Sequence, residues 1–330
     1  MSETQPHEVI WNLTTAYVSS RCLHVVAELG VADQIADEPL TAAALAARCH
    51  VDVGALDRVL QLLAAHGIFE RDGDRFGHTP ASQLLRSDHP MSMRAFPRML
   101  GLRIFSQTFE NLEYSVRTAL PAVETVEPAG IWAYFESRPA EAQLFGQAMT
   151  AKASTDIASV LGSYHFSGFD TVADIGGGRG HLLAAVLDAA PSTQGILFDL
   201  PEVINSNLTV KHDRLTPVAG DFFTDPLPAA DIYLLMEVLH DWPDEKCRAI
   251  LGAIRRAAAR GAKVLVIENV LADDQPDARG HILDVIMLAT TGGKERTEPQ
   301  LADLFDSAGF QGVTGIPTAG SMRIVETTAA

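Results

Sequence analysis

Residues Val172 to Leu183 read VADIGGGRGHLL: an apolar run of strand length, a cluster of glycines, and the opening of a helix. Gly176 and Gly178 free the backbone for conformations that side chains resist, and they let a ligand come close to it. A helix beginning at once behind them offers unpaired N–H groups to an anion. The glycines fall as GxGxG, with His181 standing where the dinucleotide fingerprint GxGxxG needs its third glycine. The spacing turns this unit away from dinucleotides.

The chain beyond this turn alternates short apolar runs with longer amphipathic ones. GILFDL, TPVAGDFF, DIYLLMEV, KVLVIENV and a final pair near Gly315 and Arg323 read as strands, with helices between most of them. Such a rhythm calls for an α/β fold, a doubly wound parallel sheet covered on both faces. Ligands then bind at the carboxyl ends of the strands, which is where the chemistry is to be sought.

Each strand end carries a polar group. The second ends in Phe198-Asp199-Leu200-Pro201, placing an acid about 23 residues after Gly176, the separation at which a carboxylate grips a ribose diol. The third ends in Gly220-Asp221-Phe222-Phe223, where a carboxylate can accept an adenine amino group and a ring can pack on the base. A helix cap for Asp199 and a turn for Asp221 are the plainer alternatives. Three adjacent strands ending in these groups favour a nucleoside. The fourth ends in Glu237-Val238-Leu239-His240-Asp241-Trp242, so a histidine, the side chain that titrates near neutrality, stands beside that site. Glu268, closing KVLVIENV, and Glu295, in GGKERT, can flank it, and a carboxylate beside an imidazole fixes its tautomer and stabilises its charged form.

The first half has another rhythm. Thr41 and Asp52 are placed to cap two short helices, the second carrying Leu56, Val59, Leu60 and Leu63 on one face and ending at Gly67. The strands IFER and RFGH flank Asp72-Gly73, a dipeptide suited to a hairpin turn. Helix, turn, helix, hairpin is the winged-helix order, which serves DNA binding or, equally, packing and dimerisation. Charge decides between them. Residues 1–100 hold 8 Lys and Arg against 12 Asp and Glu, and the whole chain carries a formal charge of -17, so the clustered cations that nucleic-acid binding needs are missing.

The expected division is therefore a winged-helix-like domain over 1–100 and a catalytic part over 101–330. Within the latter, 101–160 is a helical linker and pocket roof, and 161–330 is the sheet domain. No basic region followed by an apolar block opens the chain, and no run of about eighteen apolar residues interrupts it, so neither a signal peptide nor a membrane span is expected. Three scattered cysteines, Cys22, Cys49 and Cys247, suit reduced thiols in a cytoplasm.

VADIGGGRG, FDLPEVI, GDFF, LHDWPDEKC and DVIMLATTGGKERT stand in an order and spacing that resembles the small-molecule O-methyltransferases of the plant caffeic acid and isoflavone type and their bacterial natural-product relatives. The resemblance runs over nearly the whole chain. It implies a Rossmann-like domain binding S-adenosylmethionine and releasing S-adenosylhomocysteine without a metal, and a winged helix that pairs two copies. It implies that Gly176, Gly178, Asp199, Leu200, Asp221 and Phe222 hold the cofactor, with Trp242 near the adenine. By the same resemblance His240 is the general base and Glu268 and Glu295 flank it. Two departures stand out: Met236 replaces a lysine that many plant members carry four positions before the histidine, and the loop LATTGGKERT is one residue shorter.

The implied acceptor is a small aromatic hydroxyl compound. A phenol of pKa about 10 facing an imidazole of about 6.5 leaves a proton transfer uphill by roughly 5 kcal/mol, which flanking carboxylates reduce; an aliphatic alcohol is a much harder substrate. Trp132, Phe135, Phe145, Met149, Ile286 and Met287 are candidates for the acceptor pocket or, alternatively, ordinary core residues, and Asp241 joins them beside the base. Three rivals remain open. One is a metal-dependent enzyme using Asp241, Glu268 and Asn269; another is methylation at carbon or nitrogen. The third is a DNA-binding regulator.

Overall fold

The computed structural model describes residues 5–36, 38–206, 210–272 and 277–330. The chain divides into two compact units, one taking in the residues up to Ser106 together with Gln147–Lys152, the other Gln107–Gly146 and Ala153–Ala330.

The first unit opens with a helix that sequence reading did not anticipate, Pro6–Leu29, started by a capping box between Gln5 and Glu8 and stopped by Gly30 in the left-handed region. Its buried residues are Val26 and Ala27, close to its carboxyl end, whereas Val9, Ile10, Trp11, Leu13, Tyr17 and Val18 are exposed. The next two helices begin where expected. Thr41 accepts the Ala44 N–H at 3.2 Å to start Ala42–Cys49, and Asp52 accepts that of Ala55 at 2.8 Å to start Val53–Ala65. Leu56, Leu60 and Leu63 pack with Phe69 and Phe76 of the hairpin strands Phe69–Asp72 and Arg75–His78, and Leu40–Thr41 adds a third short strand. This is the winged-helix arrangement.

The second unit is built on seven strands: β1 Thr171–Ile175, β2 Gln194–Asp199, β3 Leu215–Ala219, β4 Ile232–Met236, β5 Lys263–Glu268, β6 Phe310–Pro317 and β7 Arg323–Ala329. Their order is β6-β7-β5-β4-β1-β2-β3. Strands β1 to β5 are mutually parallel. The doubly wound sheet is thus mostly parallel, as expected, and β7 is added to it antiparallel to both β5 and β6. The five residues between β6 and β7 are too few for a crossover helix, so the pair can only be a hairpin.

Alternation along the strands explains the two-sided core. Ala173, Tyr233, Leu235, Val264 and Val266 face one side, against Ile250, Leu251 and Ile254 of the helix Asp244–Ala257 and Leu301, Leu304 and Phe305 of Glu298–Ser307. Their neighbours Val172, Ile232, Leu234, Leu265 and Ile267 face the other, against Leu183, Val186 and Leu187 of His181–Ala189 and Ile157 and Val160 of Pro139–Ser163. Strand order reverses between β1 and β4, which opens a crevice at their carboxyl ends. No helix among the described residues is long and apolar enough to cross a membrane.

Candidate active site

At the end of β1 the chain turns through Gly176 and Gly178, with φ of 69° and 58°, values that side chains rarely accept. Gly177 meets a different demand: a Cβ there would stand 2.5 Å from the Asp174 carboxyl carbon. Asp199, ending β2, closes the turn, since its Oδ2 accepts the Gly178 N–H and its Oδ1 the Leu200 N–H, each at 2.7 Å. Burial raises the Asp199 pKa, and those two N–H groups oppose the rise. A carboxylate has about four lone-pair directions, so two remain to face a diol.

Asp221 behaves as the plainer reading had it, with Oδ1 accepting the Phe223 N–H at 2.8 Å in a turn. The edge of Phe222 lies over the glycine turn, its Cε1 3.7 Å from where a Gly176 Cβ would be. Phe222 and Phe223 both meet Trp242 edge to face, at 6.1 and 4.8 Å between ring centroids. Ring edges beside a glycine turn, with two carboxylates at neighbouring strand ends, fit an adenosine carrying an amino-acid tail.

After β4 the chain forms a single turn of 3-10 helix, Leu239–Asp241, that carries His240 inward until it is only 5% exposed. Its Nδ1 lies 2.8 Å from Glu295 Oε1. Its Nε2 faces Asp241, with Oδ1 at 3.8 Å. Burial by itself pushes the imidazole down, but the hydrogen bond to Glu295 and the charges of Asp241, Glu268 and Glu295 outweigh it and push the pKa up to about 10.

Glu268 differs from expectation. It accepts the backbone N–H of His240 at 3.0 Å and so touches the peptide and not the ring. Its second oxygen is buried without a hydrogen bond among the described residues, and burial raises its pKa, opposed by the charges of His240 and Arg296. The reason is topological: Glu268 ends β5, beside β4, and meets the chain leaving β4 before the histidine side chain diverges.

Sequence reading missed the residue that joins these pieces. Arg296 is buried, and its guanidinium donates to the carbonyls of Leu239 at 2.9 Å and Trp242 at 2.7 Å, on either side of His240, and to Asp244 at 2.8 Å. Lys294 N–H donates to the His240 carbonyl at 2.9 Å, and Glu295 N–H to Asp284 Oδ1 at 2.9 Å. Asp244 and Asp284 therefore belong to the same framework. An arginine beside a glutamate was visible in KERT, but nothing in the charge pattern marks it as buried.

Of the acceptor candidates, Trp132 stacks near Trp242 at 6.3 Å, Phe145 meets Trp132 at 6.0 Å, and Phe135 meets Phe145 at 4.7 Å. These three form one aromatic wall that reaches Phe222 and Phe223 through Trp242. Ile286 and Met287 are half-buried on the helix Ala278–Thr290, and their carbonyls accept the hydroxyls of Thr290 and Thr291. Met149 lies in the stretch that groups with the first unit. Met236 packs against the core at the end of β4. Among the described residues no group of three His, Cys, Asp or Glu is disposed to hold a metal ion.

A family model for an O-methyltransferase domain matches residues 109–311, and one for an O-methyltransferase dimerisation domain matches 11–88. The chain belongs to the O-methyltransferase family. Its relatives include a phenazine O-methyltransferase of Lysobacter antibioticus, 35% identical over 96% of this chain and 95% of the relative. They also include the 8-amino-8-demethylriboflavin N,N-dimethyltransferase of Streptomyces davaonensis, 36% identical over 92% of this chain and 89% of the relative. The crystal structure of human N-acetylserotonin methyltransferase in complex with S-adenosylmethionine matches with a TM-score of 0.92 at 28% identity, covering 100% of this chain and 99% of that one. Fold, family and cofactor-bound neighbour together make this O-methyltransferase an enzyme that uses S-adenosylmethionine.

Proposed function

We propose that this enzyme methylates a phenolic hydroxyl of a small aromatic natural product, with His240 as the base that takes the hydroxyl proton. The observation that carries the reading is the 2.8 Å pair between His240 Nδ1 and Glu295 at the carboxyl end of β4, beside the glycine turn. An Nδ1–H donated to Glu295 leaves the lone pair of the neutral ring on Nε2, where an acceptor hydroxyl can deliver its proton. Gly176, Gly178, Asp199, Leu200, Asp221, Phe222 and Trp242 would hold the cofactor. When bound, it supplies an electrophilic methyl group on a sulfonium, whose positive charge also disfavours the imidazolium. Glu295 orients the ring, Glu268 and Arg296 hold the peptide that bears it, and Asp241 stands on the acceptor side. Trp132, Phe135 and Phe145 give a planar acceptor an aromatic wall, which favours a ring system over a flexible alcohol. Two copies pair through the amino-terminal unit.

The N,N-dimethyltransferase among the relatives favours one second reading, an aromatic amine as acceptor. A panel of phenols and matched anilines incubated with labelled cofactor and read by mass spectrometry separates the two. Transfer to phenols supports the proposal, and transfer confined to anilines refutes it. Full transfer in the presence of a chelator removes the metal-dependent rival. His240→Gln is the companion test: cofactor binding retained and transfer down by about 10² to 10⁴ is the expected result.

A further inference from the structure

The side chain of Arg179 leaves the glycine turn that bears it. It lies against the helix Pro139–Ser163 at Gly146, with Cδ 3.3 Å and Cγ 3.7 Å from where a Cβ on that glycine would be. A glycine inside a helix is destabilising relative to alanine, but here its bareness leaves room for the arginine stem. Phe145, the residue before it, belongs to the aromatic wall, meeting Trp132 edge to face at 6.0 Å and Phe135 at 4.7 Å. These residues and Arg179 all lie in the second unit. The arginine therefore joins the turn after β1 to the helix that carries the wall.

Its charge has no answer among the described residues. Its Nε is buried without a hydrogen bond, and no carboxylate stands in ion-pair range of the guanidinium. Burial lowers its pKa with no acid to oppose the shift. His181, two positions on, feels the same bare charge: burial and then Arg179 lower the imidazole pKa. A cation drawn partly out of water and left unpaired carries a desolvation cost that a bound anion removes. The planar fork of donors on a guanidinium fits a carboxylate in particular. Because the stem runs to the helix of the wall, that carboxylate is sought on the acceptor and not on the cofactor.

We propose that Arg179 binds a carboxylate on the methyl acceptor, so that the substrate is a hydroxylated aromatic acid held against Trp132, Phe135 and Phe145. The inference rests on the reading of this site as one that methylates a phenol. An acid anchored by a two-point pair at one edge of the wall has its ring orientation fixed, and with it which hydroxyl is presented to His240. Arg179 is then a specificity-determining residue, and its removal changes which phenol is chosen.

Methyl transfer to the isomeric hydroxybenzoic and hydroxynaphthoic acids, each beside its primary amide, tests this on the full-length protein. The best acid is expected to exceed its amide in kcat/KM by at least about tenfold, the range of a charge-assisted hydrogen bond. In Arg179→Met that ratio falls to near one, and in Arg179→Lys to an intermediate value, since an ammonium keeps the charge without the fork. Calorimetric binding of S-adenosylhomocysteine to each variant, expected to hold within about twofold, reports that the protein is folded. An acid-to-amide ratio undiminished in Arg179→Met overturns the proposal, as does a wild type that takes amides as readily as acids. Loss of S-adenosylhomocysteine affinity in Arg179→Met with the ratio intact overturns it too, and moves the arginine to the cofactor. If the wild type methylates no phenol of the panel, acid or amide, the phenol reading itself fails, a result distinct from the others.

Discussion

The Oε1 of Glu295 stands 2.8 Å from Nδ1 of His240, and both side chains are almost completely withdrawn from water. In that setting the carboxylate does two things. It fixes which nitrogen carries the proton, and it makes the charged ring easier to form than burial alone would allow. The second effect matches the imidazole to a phenol but also loads it with a proton at neutral pH in the free enzyme.

That tension predicts the pH dependence. The base acts as neutral imidazole, so kcat/KM rises with pH through the raised pKa, and the rising limb lies well above the ordinary value of about 6.5. Glu295→Gln removes the hydrogen-bonded charge and lets burial act, so the limb moves to lower pH while the high-pH plateau falls. The stability sign is fixed by the same shift. A histidine whose folded pKa is raised stabilises the protein fully below about 6.5, and that contribution is lost as pH rises through about 10. Denaturant unfolding should therefore show wild type and Glu295→Gln converging over this interval. A limb at the same pH in both proteins would falsify the assignment of His240 as the titrating base.

Glu268 should separate stability from rate. It accepts one backbone hydrogen bond and leaves its other oxygen buried and unpaired. Glu268→Gln keeps the acceptor and removes a buried charge, so the melting temperature is expected to hold or to rise by a few degrees, while turnover falls because a negative charge near the imidazole is lost. Glu268→Ala removes the acceptor and should cost about 1–3 kcal/mol by leaving the His240 N–H unsatisfied. Calorimetry and initial rates on the same preparations decide the matter.

Sheet, helix caps and strand ends were legible in the sequence because each follows from local pattern. The unbroken apolar runs IYLLM and KVLVIE require strands buried on both faces, and Thr41 and Asp52 stand immediately before helices that need their oxygens. What escaped reading was non-local. The direction of β7 depends on the short link from β6, not on its own periodicity. Glu268 could be placed at a strand end, but not whether it meets ring or peptide. The helix Pro6–Leu29 has apolar residues spread over a surface its own unit leaves exposed, so no single buried stripe announced it.

Arg296 is expected to be the most costly of the site residues to remove. Among the described residues it is the largest fully buried side chain, and it bridges Asp244 to the carbonyls of Leu239 and Trp242. Arg296→Met leaves the buried carbonyls of Leu239 and Trp242 without their donor and the partly exposed Asp244 with Lys294 alone, a loss of about 3 kcal/mol that comes chiefly from the unmet acceptors. Arg296→Lys restores charge without the fork and should recover only part of this. Urea unfolding of the three proteins measures it; a loss below about 1 kcal/mol in Arg296→Met would mean that Lys294 alone holds Asp244 and the loop.

The amino-terminal helix predicts the assembly. Leu13 is 79% exposed and Ile10 69%, with Val9, Trp11, Tyr17 and Val18 also uncovered, a group of apolar side chains that an isolated chain has no reason to carry. The segment matched by the dimerisation family begins at residue 11, inside this helix. If a second copy covers these side chains, each contributes apolar burial worth on the order of 1–2 kcal/mol, and two introduced charges suffice to oppose it. Ile10→Glu with Leu13→Lys should therefore turn a dimer into a monomer by light scattering coupled to size exclusion. Circular dichroism should show the helices retained, because neither residue supports the core of its own unit. A double variant still dimeric at micromolar concentration would place the interface on another surface of the chain.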